Sequence, residues 1–400
     1  MSEVSNIPQL RFPEFSGEWE DGKLGNYGNL INGLTYSPDN IVDDGLLVLR
    51  SSNVQNGQIY LNDNVYVNLD VDDAALTKED DILICVRNGS KRLIGKSTII
   101  NKNLPKSTHG AFMTVFRGES NKFISHWFHS SIYYKEVHKN LGATINSING
   151  SDLKKFKTIF PLKPEQQRIA AFLTAVDNKI EQLSKKQALL GEYKKGLTQQ
   201  IFSQAIRFKA DDGSDFPDWE EKRLGSVGQI VTGKTPSTNN PELWDGDISF
   251  ITPTDITEQG KYQTKTQRTI TKQRNTKLLP IGSIAYTCIA SIGKMMITTN
   301  NSSTNQQINS IIVNDDFNNE FVYYALLKLT PYIKSTQANT TLPIINKTEF
   351  SGFKIQIPSL QEQTKIAIFL SSIDRKIEQV GKQLDESKQF KKALLQQMFV

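Results

Sequence analysis

The chain is poor in the residues that bind metals or bridge strands. Its 400 residues include 2 cysteines and 4 histidines. Cys85 and Cys288 fall in different halves, inside the apolar runs DILICV and SIAYTCIASI, where free thiols behave as small hydrophobes. That argues against a disulfide framework and fits a reducing compartment. His109, His126, His129 and His138 all lie in the first half and lack cysteines at zinc-ligand spacing, so no metal site is expected. No apolar stretch approaches the ~18 residues of a membrane span. MSEVSNIPQL has neither the basic start nor the apolar run of a signal peptide, so a cytoplasmic protein is expected, with no membrane partner.

Catalytic patterns are also missing. There is no Gly-rich loop of the dinucleotide type, no Asn-Pro-Pro-aromatic string, and no Ser–His–Asp or Cys–His set duplicated between the halves. Gly228 to Thr235, GQIVTGKT, spells the phosphate loop of ATPases. That loop needs a helix beginning at its lysine, so that backbone N–H groups point at phosphate. Here Pro236 pushes Thr235 away from helical backbone, and the following STNNP is loop chemistry. The corresponding stretch from Gly28 to Thr35 carries Leu34 in place of Lys234. Pro217-Asp218-Trp219-Glu220-Glu221-Lys222 has the letters of a nuclease set, but its carboxylates are too crowded for that strand arrangement, and a surface turn is expected. The chain reads as non-catalytic, with no cofactor of its own.

What is present is a duplication. Residues 165–202, EQQRIAAFLTAVDNKIEQLSKKQALLGEYKKGLTQQIF, recur at 362–399 as EQTKIAIFLSSIDRKIEQVGKQLDESKQFKKALLQQMF without a slip of register. In the first copy Ile169, Leu173, Val176, Ile180, Leu183, Leu190, Leu197 and Ile201 are spaced alternately four and three, interrupted by Gln187 and Lys194. In the second, Ile366, Leu370, Ile373, Ile377, Val380, Leu384, Leu394 and Met398 keep the spacing, interrupted by Ser387 and Lys391. One narrow apolar seam per helix needs a partner, and the other copy is the obvious one. Each helix would run roughly 60 Å. If the first carries the chain away and the second carries it back, the two pair antiparallel.

The repeat extends beyond the helices. Trp19 to Gly25 matches Trp219 to Gly225, Gly95-Lys96 matches Gly293-Lys294, Ile148-Asn149 matches Ile345-Asn346, and Phe156-Lys157 with Pro161 matches Phe353-Lys354 with Pro358. Between these anchors the halves diverge into β-branched runs broken by Gly, Asn, Asp and Pro. The spacing predicts an α+β protein: two pseudo-symmetric β-rich recognition domains, 1–163 and 207–360, separated by two long antiparallel coiled-coil helices, 164–206 and 361–400. Kept ends and varied middles point to one scaffold carrying two different recognition surfaces.

Charge is uneven. Arg87, Lys91, Arg92, Lys96, Lys102 and Lys106 form a run without an acid, and Lys261, Lys265, Arg268, Lys272, Arg274, Lys277 and Lys294 form another at the corresponding place in the second half. Two such runs point to a polyanion-binding face.

Two variable units, each opening near Trp-x-x-x-x-Leu-Gly and closing at Pro164-Glu165-Gln166-Gln167 or Gln361-Glu362-Gln363 on a long helix, resemble the specificity subunit of type I restriction-modification enzymes. Thr232-Gly233-Lys234-Thr235-Pro236-Ser237 and Thr304-Asn305-Gln306-Gln307-Ile308-Asn309 are also similar to strings recurrent in that family's target-recognition domains. The first unit departs from the family there, with Asn32-Gly33-Leu34-Thr35-Tyr36-Ser37. The resemblance implies a non-catalytic protein that binds double-stranded DNA and two modification subunits, which use S-adenosylmethionine to methylate adenine. It further implies restriction subunits that use ATP and Mg to translocate and cleave DNA.

On this reading Arg87, Lys91, Arg92 and Lys96 in the first unit, and Lys234, Lys261, Lys265, Arg268, Lys272, Arg274 and Lys294 in the second, face the duplex. Arg92, Arg268, Gln306 and Gln307 are the candidates for base edges, because Arg suits guanine and Gln suits adenine. The alternative from another class is a non-enzymatic scaffold, two β-rich ligand-binding modules on a coiled-coil strut.

Overall fold

The computed structural model describes residues 6–101, 104–141, 146–257, 260–337 and 343–400. They fall into two compact units, Met1–Lys185 with Gly381–Val400 and Lys186–Val380. Each long helix is therefore divided between the units.

Unit 1 is built on a four-stranded antiparallel sheet in the order Asn29–Asn32, Met113–Arg117, Ile82–Cys85, Ser97–Ile99. Ile82–Cys85 is buried at every position because both faces of the sheet are covered. Ile82, Ile84 and Phe116 pack with Phe123, Trp127 and Tyr133, which come from helices α1 (Asn121–Trp127) and α2 (Ser131–Asn140). Leu83, Cys85 and Val115 on the alternate face pack against Leu47 and Leu49 of a second sheet. There Ser107–His109 runs parallel to Leu46–Leu49.

The anchors shared by the two halves close the unit. Leu24 is fully buried, its N–H bonds the Phe156 carbonyl at 3.0 Å, and Glu20–Lys23 pairs antiparallel with Lys157–Phe160. Asn149 caps α3 (Gly150–Lys154). Then α4 (Lys163–Phe202) begins.

Unit 2 repeats the plan. Gly228–Thr232, Ile308–Val313, Ile284–Thr287 and Met295–Ile297 form its central antiparallel sheet. Trp244–Ile251 runs parallel to Ser302–Thr304 in the second sheet. Leu224 opens α5 (Leu224–Val227), fully buried with its N–H on the Phe353 carbonyl. Helix α6 (Asn319–Ser335) covers the central sheet, and Asn346 with Glu349 makes a capping box on α7 (Lys347–Gly352). Glu220–Arg223 pairs with Lys354–Ile357, and α8 (Leu360–Gln397) follows.

The two long helices pack together within each unit. In unit 1 Ile169 and Leu173 near the start of α4 share a core with Leu394 and Met398 at the end of the chain. In unit 2 Ile201 near the end of α4 shares a core with Ile366 and Leu370 near the start of α8. Start meets end in both, so the pairing is antiparallel. Val176, Ile180, Leu190, Leu197 and Ile377 are half-buried, while Leu183, Ile373, Val380 and Leu384 are buried. Among the described residues, no helix is long and apolar enough to cross a membrane.

Each unit also ties its leading segment to the start of its own long helix. In unit 1 the Arg11 guanidinium grips Glu165 with two bonds of 2.8 Å, and the Trp19 indole N–H reaches the same carboxylate at 3.3 Å. In unit 2 Arg207 binds Glu362 at 3.1 and 2.8 Å, with the Trp219 indole at 3.2 Å. The tryptophans and glutamates are visible in the repeat, whereas the arginines are out of register with it, 8 positions before Trp19 and 12 before Trp219.

Candidate nucleic-acid interface

In unit 2 the two recurrent strings, remote in sequence, meet edge to edge. Strand pairing sets Thr232 opposite Asn309, and the Thr232 hydroxyl donates to Asn309 Oδ1 at 2.6 Å. Beyond the strand the Gly233 N–H reaches the Ile308 carbonyl at 3.2 Å, and the Lys234 N–H reaches the Thr304 carbonyl at 2.9 Å. Only glycine fits at 233, since a Cβ there would stand 2.2 Å from the Thr304 and Asn305 carbonyl oxygens. Gly228–Thr232 is thus a strand running into an extended loop, with no helix at Lys234 to complete a phosphate loop.

This clasp orients the side chains above it. The Thr235 hydroxyl donates to Gln306 Oε1 at 2.7 Å, and the Asn305 amide donates to Gln307 Oε1 at 2.9 Å. Both glutamine carbonyls are thereby satisfied, leaving their NH2 groups as donors. Gln306 is exposed and Gln307 half-buried. Lys234 is exposed, and the exposed Lys277 donates to the Thr232 carbonyl at 2.9 Å. The Trp244 indole N–H holds the Ser237 carbonyl at 3.1 Å, and the Arg268 guanidinium lies 3.4 Å from the centre of the Trp244 ring. Arg268 therefore flanks the Lys234 loop. Lys265, Lys272 and Arg274 are exposed on either side of the strand Arg268–Ile270.

Lys261 departs from the expectation that it faces a duplex. Its side chain is 7% exposed, and its ammonium bonds Ser371 Oγ at 2.7 Å and Tyr324 Oη at 3.1 Å, with Glu320 at 3.2 Å. Burial lowers its pKa against the opposing pull of Glu320. Lys294 is half-buried in the turn before Met295–Ile297.

In unit 1 the equivalent clasp joins Gly33-Leu34 to Gly110-Ala111. The Leu34 N–H reaches the His109 carbonyl at 2.7 Å, and the Ala111 N–H reaches the Leu34 carbonyl at 3.0 Å. A Cβ on Gly33 would stand 2.1 Å from the Gly110 carbonyl oxygen. Arg87, Lys91 and Arg92 are exposed. Lys96 departs from expectation as Lys261 does: its ammonium is spent on the carbonyls of Ser51 and, at 2.9 Å, Val54, and burial lowers its pKa. Lys106 is exposed, and Lys102 lies outside the described residues. Sequence reasoning did not single out Lys277, Trp244 or Phe112. The first was visible as part of the basic run, while the other two lie in the diverged middles and carried no signal.

Each half of the chain, residues 16–190 and 217–387, matches the model of the type I restriction modification DNA specificity domain. The chain belongs to this family. It is 35% identical to the type I restriction enzyme MjaIX specificity subunit of Methanocaldococcus jannaschii over 190 residues, 46% of this chain and 44% of that protein. Against the HindI specificity subunit of Haemophilus influenzae it is 34% identical over 172 residues, 40% of this chain and 37% of the relative. The aligned stretch thus spans less than half the length of either relative. A putative MjaX specificity subunit, also of M. jannaschii, is 25% identical over 413 residues, covering 98% of this chain and 95% of that one.

The S subunit of the type I restriction-modification system of M. genitalium has the same fold, with a TM-score of 0.65 at 17% identity over 98% of this chain and 99% of that chain. A chain from a type I R-M system, solved in work on complex assembly and conformational transition, gives a TM-score of 0.53 at 17% identity over 96% and 98%.

Proposed function

We propose that this chain is the sequence-specific DNA-binding subunit of a type I restriction-modification enzyme, and that it directs methyltransferase and endonuclease subunits to an interrupted two-part target, one half-site per unit. The observation that carries the reading is the clasp in unit 2. It brings Lys234, Lys277, Gln306 and Gln307 to one strand end, with Arg268 beside it, uniting phosphate-binding cations with amide donors that suit acceptors on base edges such as purine N7. Different middles on one plan give two different half-sites. The chain itself does no chemistry on this reading. S-adenosylmethionine, ATP and Mg serve two modification subunits and the restriction subunits, in the cytoplasm.

The test is sequencing of adenine methylation in the host genome with and without the gene. Loss of one interrupted motif on deletion is the expected result. An unchanged map, with the partner methyltransferase expressed, overturns the proposal and favours a coiled-coil scaffold with two ligand-binding modules.

A further inference from the structure

The two clasps are alike in backbone and opposite in chemistry. Pairing of Met113–Arg117 with Asn29–Asn32 places Thr114 opposite Asn32, as Asn309 lies opposite Thr232 in unit 2. Counting back from these pairs, Phe112 occupies in unit 1 the place that Gln307 occupies in unit 2, and Ala111 that of Gln306. Where unit 2 presents amides, unit 1 presents a phenyl ring that is 56% exposed.

An exposed aromatic on a loose loop carries little information, but this one is held firmly. The Phe112 carbonyl accepts the N–H groups of Val86 and Arg87 at 3.0 and 3.1 Å, and the Met113 N–H closes on Gly110 at 2.8 Å. The neighbouring loop is equally fixed, with the Asn88 amide on Ser51 Oγ at 2.9 Å and the Ser90 N–H on Asn88 Oδ1 at 3.0 Å. The Arg87 guanidinium lies 5.7 Å from the Phe112 ring centre, and exposed Lys91 and Arg92 follow on the same loop. A rigid apolar tip set among exposed cations is complementary to the major groove, where the one apolar group on a base edge is the thymine methyl.

We infer that Phe112 and Arg87 form the base-reading pair of unit 1, with Phe112 packed on a thymine C5-methyl group in its half-site. This rests on the DNA-binding reading above. Unit 1 then recognises its half-site in part by apolar contact, and unit 2 by amide hydrogen bonds.

The test uses the full chain and duplexes carrying the motif that methylation sequencing assigns to it, with each thymine replaced in turn by deoxyuridine, which removes the methyl and nothing else. Wild-type chain should lose affinity about fourfold at one thymine of one half-site, the worth of one buried methyl. Phe112→Ala should show a loss at that thymine in the unmodified duplex and no further loss with uracil, while Phe112→Leu retains part of the discrimination. Gln306→Ala should weaken the other half-site. Wild-type indifference to uracil throughout, an undiminished uracil effect in Phe112→Ala, or a unit 1 half-site without thymine overturns the inference while leaving the DNA reading standing. Failure of wild-type chain to prefer the motif over a scrambled duplex overturns both.

Discussion

The Asp177 carboxylate on α4 stands 2.5 Å from the Lys391 ammonium on α8, and the repeat writes the same bond with the helices exchanged, Lys194 on α4 to Asp374 on α8 at 2.5 Å. Lys194 and Lys391 are two of the positions where the apolar seam fails. These two failures are therefore seam lysines held in ion pairs across the helices, one pair per unit, each about one-fifth exposed at the lysine. Polar groups at such positions set register and direction at some cost in stability. An antiparallel pair satisfies both bonds, and a parallel pairing or a slip of one turn leaves four charges without partners.

Charge exchange tests this arrangement. Lys391→Glu should destabilise unit 1 by about 1–3 kcal/mol, because it sets two carboxylates together at a half-buried site. The double variant Asp177→Lys with Lys391→Glu should recover most of that loss. Urea unfolding of the two singles and the double gives the coupling, which should be about 1 kcal/mol or more. A coupling near zero would mean that the pair does not set the register.

Glu362 has no exposed side-chain surface, and its charge is met by Arg207 and the Trp219 indole. Arg207→Ala strands that carboxylate, and the expected cost is about 3–5 kcal/mol. Hydrogen exchange should register it in unit 2 with little change in unit 1.

Acid should weaken unit 1 first. All four histidines lie there, and burial, reinforced by the charges of Lys391 and His129, pushes His126 down to about 3. Asp177 sits 3.6 Å from the His126 ring, but Lys391 already claims that carboxylate. Burial lowers His129 and His109 as well. Unfolded histidine titrates near ~6.5. Below that pH the unfolded chain binds protons that the folded unit refuses, so stability is lost as pH falls from about 6.5 toward 3, at up to about 1.4 kcal/mol per pH unit for His126 alone. Segment-resolved hydrogen exchange between pH 7 and 5 should show unit 1 loosening before unit 2, with His126→Phe flattening the trend.

Inward and outward lysines should separate in salt titrations of duplex binding. Lys234→Ala or Lys277→Ala should each reduce the slope of log affinity against log salt by about one unit. Lys261→Met and Lys96→Met should leave the slope unchanged and lower thermal stability, since their ammonium groups are committed inside the fold.

The duplication, the helix seams and the strand character of the middles were legible because they are local patterns at fixed spacing. The identities of the anchors were legible too, but their physical reasons came only with the structure: Asn149 and Asn346 are helix caps, and Trp19 and Trp219 are donors to buried glutamates. The direction of a lysine was not legible. Lys261 and Lys277 look alike in one basic run, yet Lys261 is turned inward by Glu320 and Ser371, which lie 59 and 110 positions away. The clasp was hidden for the same reason, since Thr235 and Gln306 are 71 positions apart and meet only through strand pairing. Both strings were visible in the sequence, but not that they form one surface.

The measurement that tests the central claim most directly is a half exchange. Residues 216–358 are replaced by the corresponding segment of a relative with a different motif, in a host expressing the partner methyltransferase, and adenine methylation is sequenced. The account predicts that one half-site changes to that of the donor while the other half-site and the gap between them stay as they were. A change in both half-sites, or in neither while methylation persists, would contradict it.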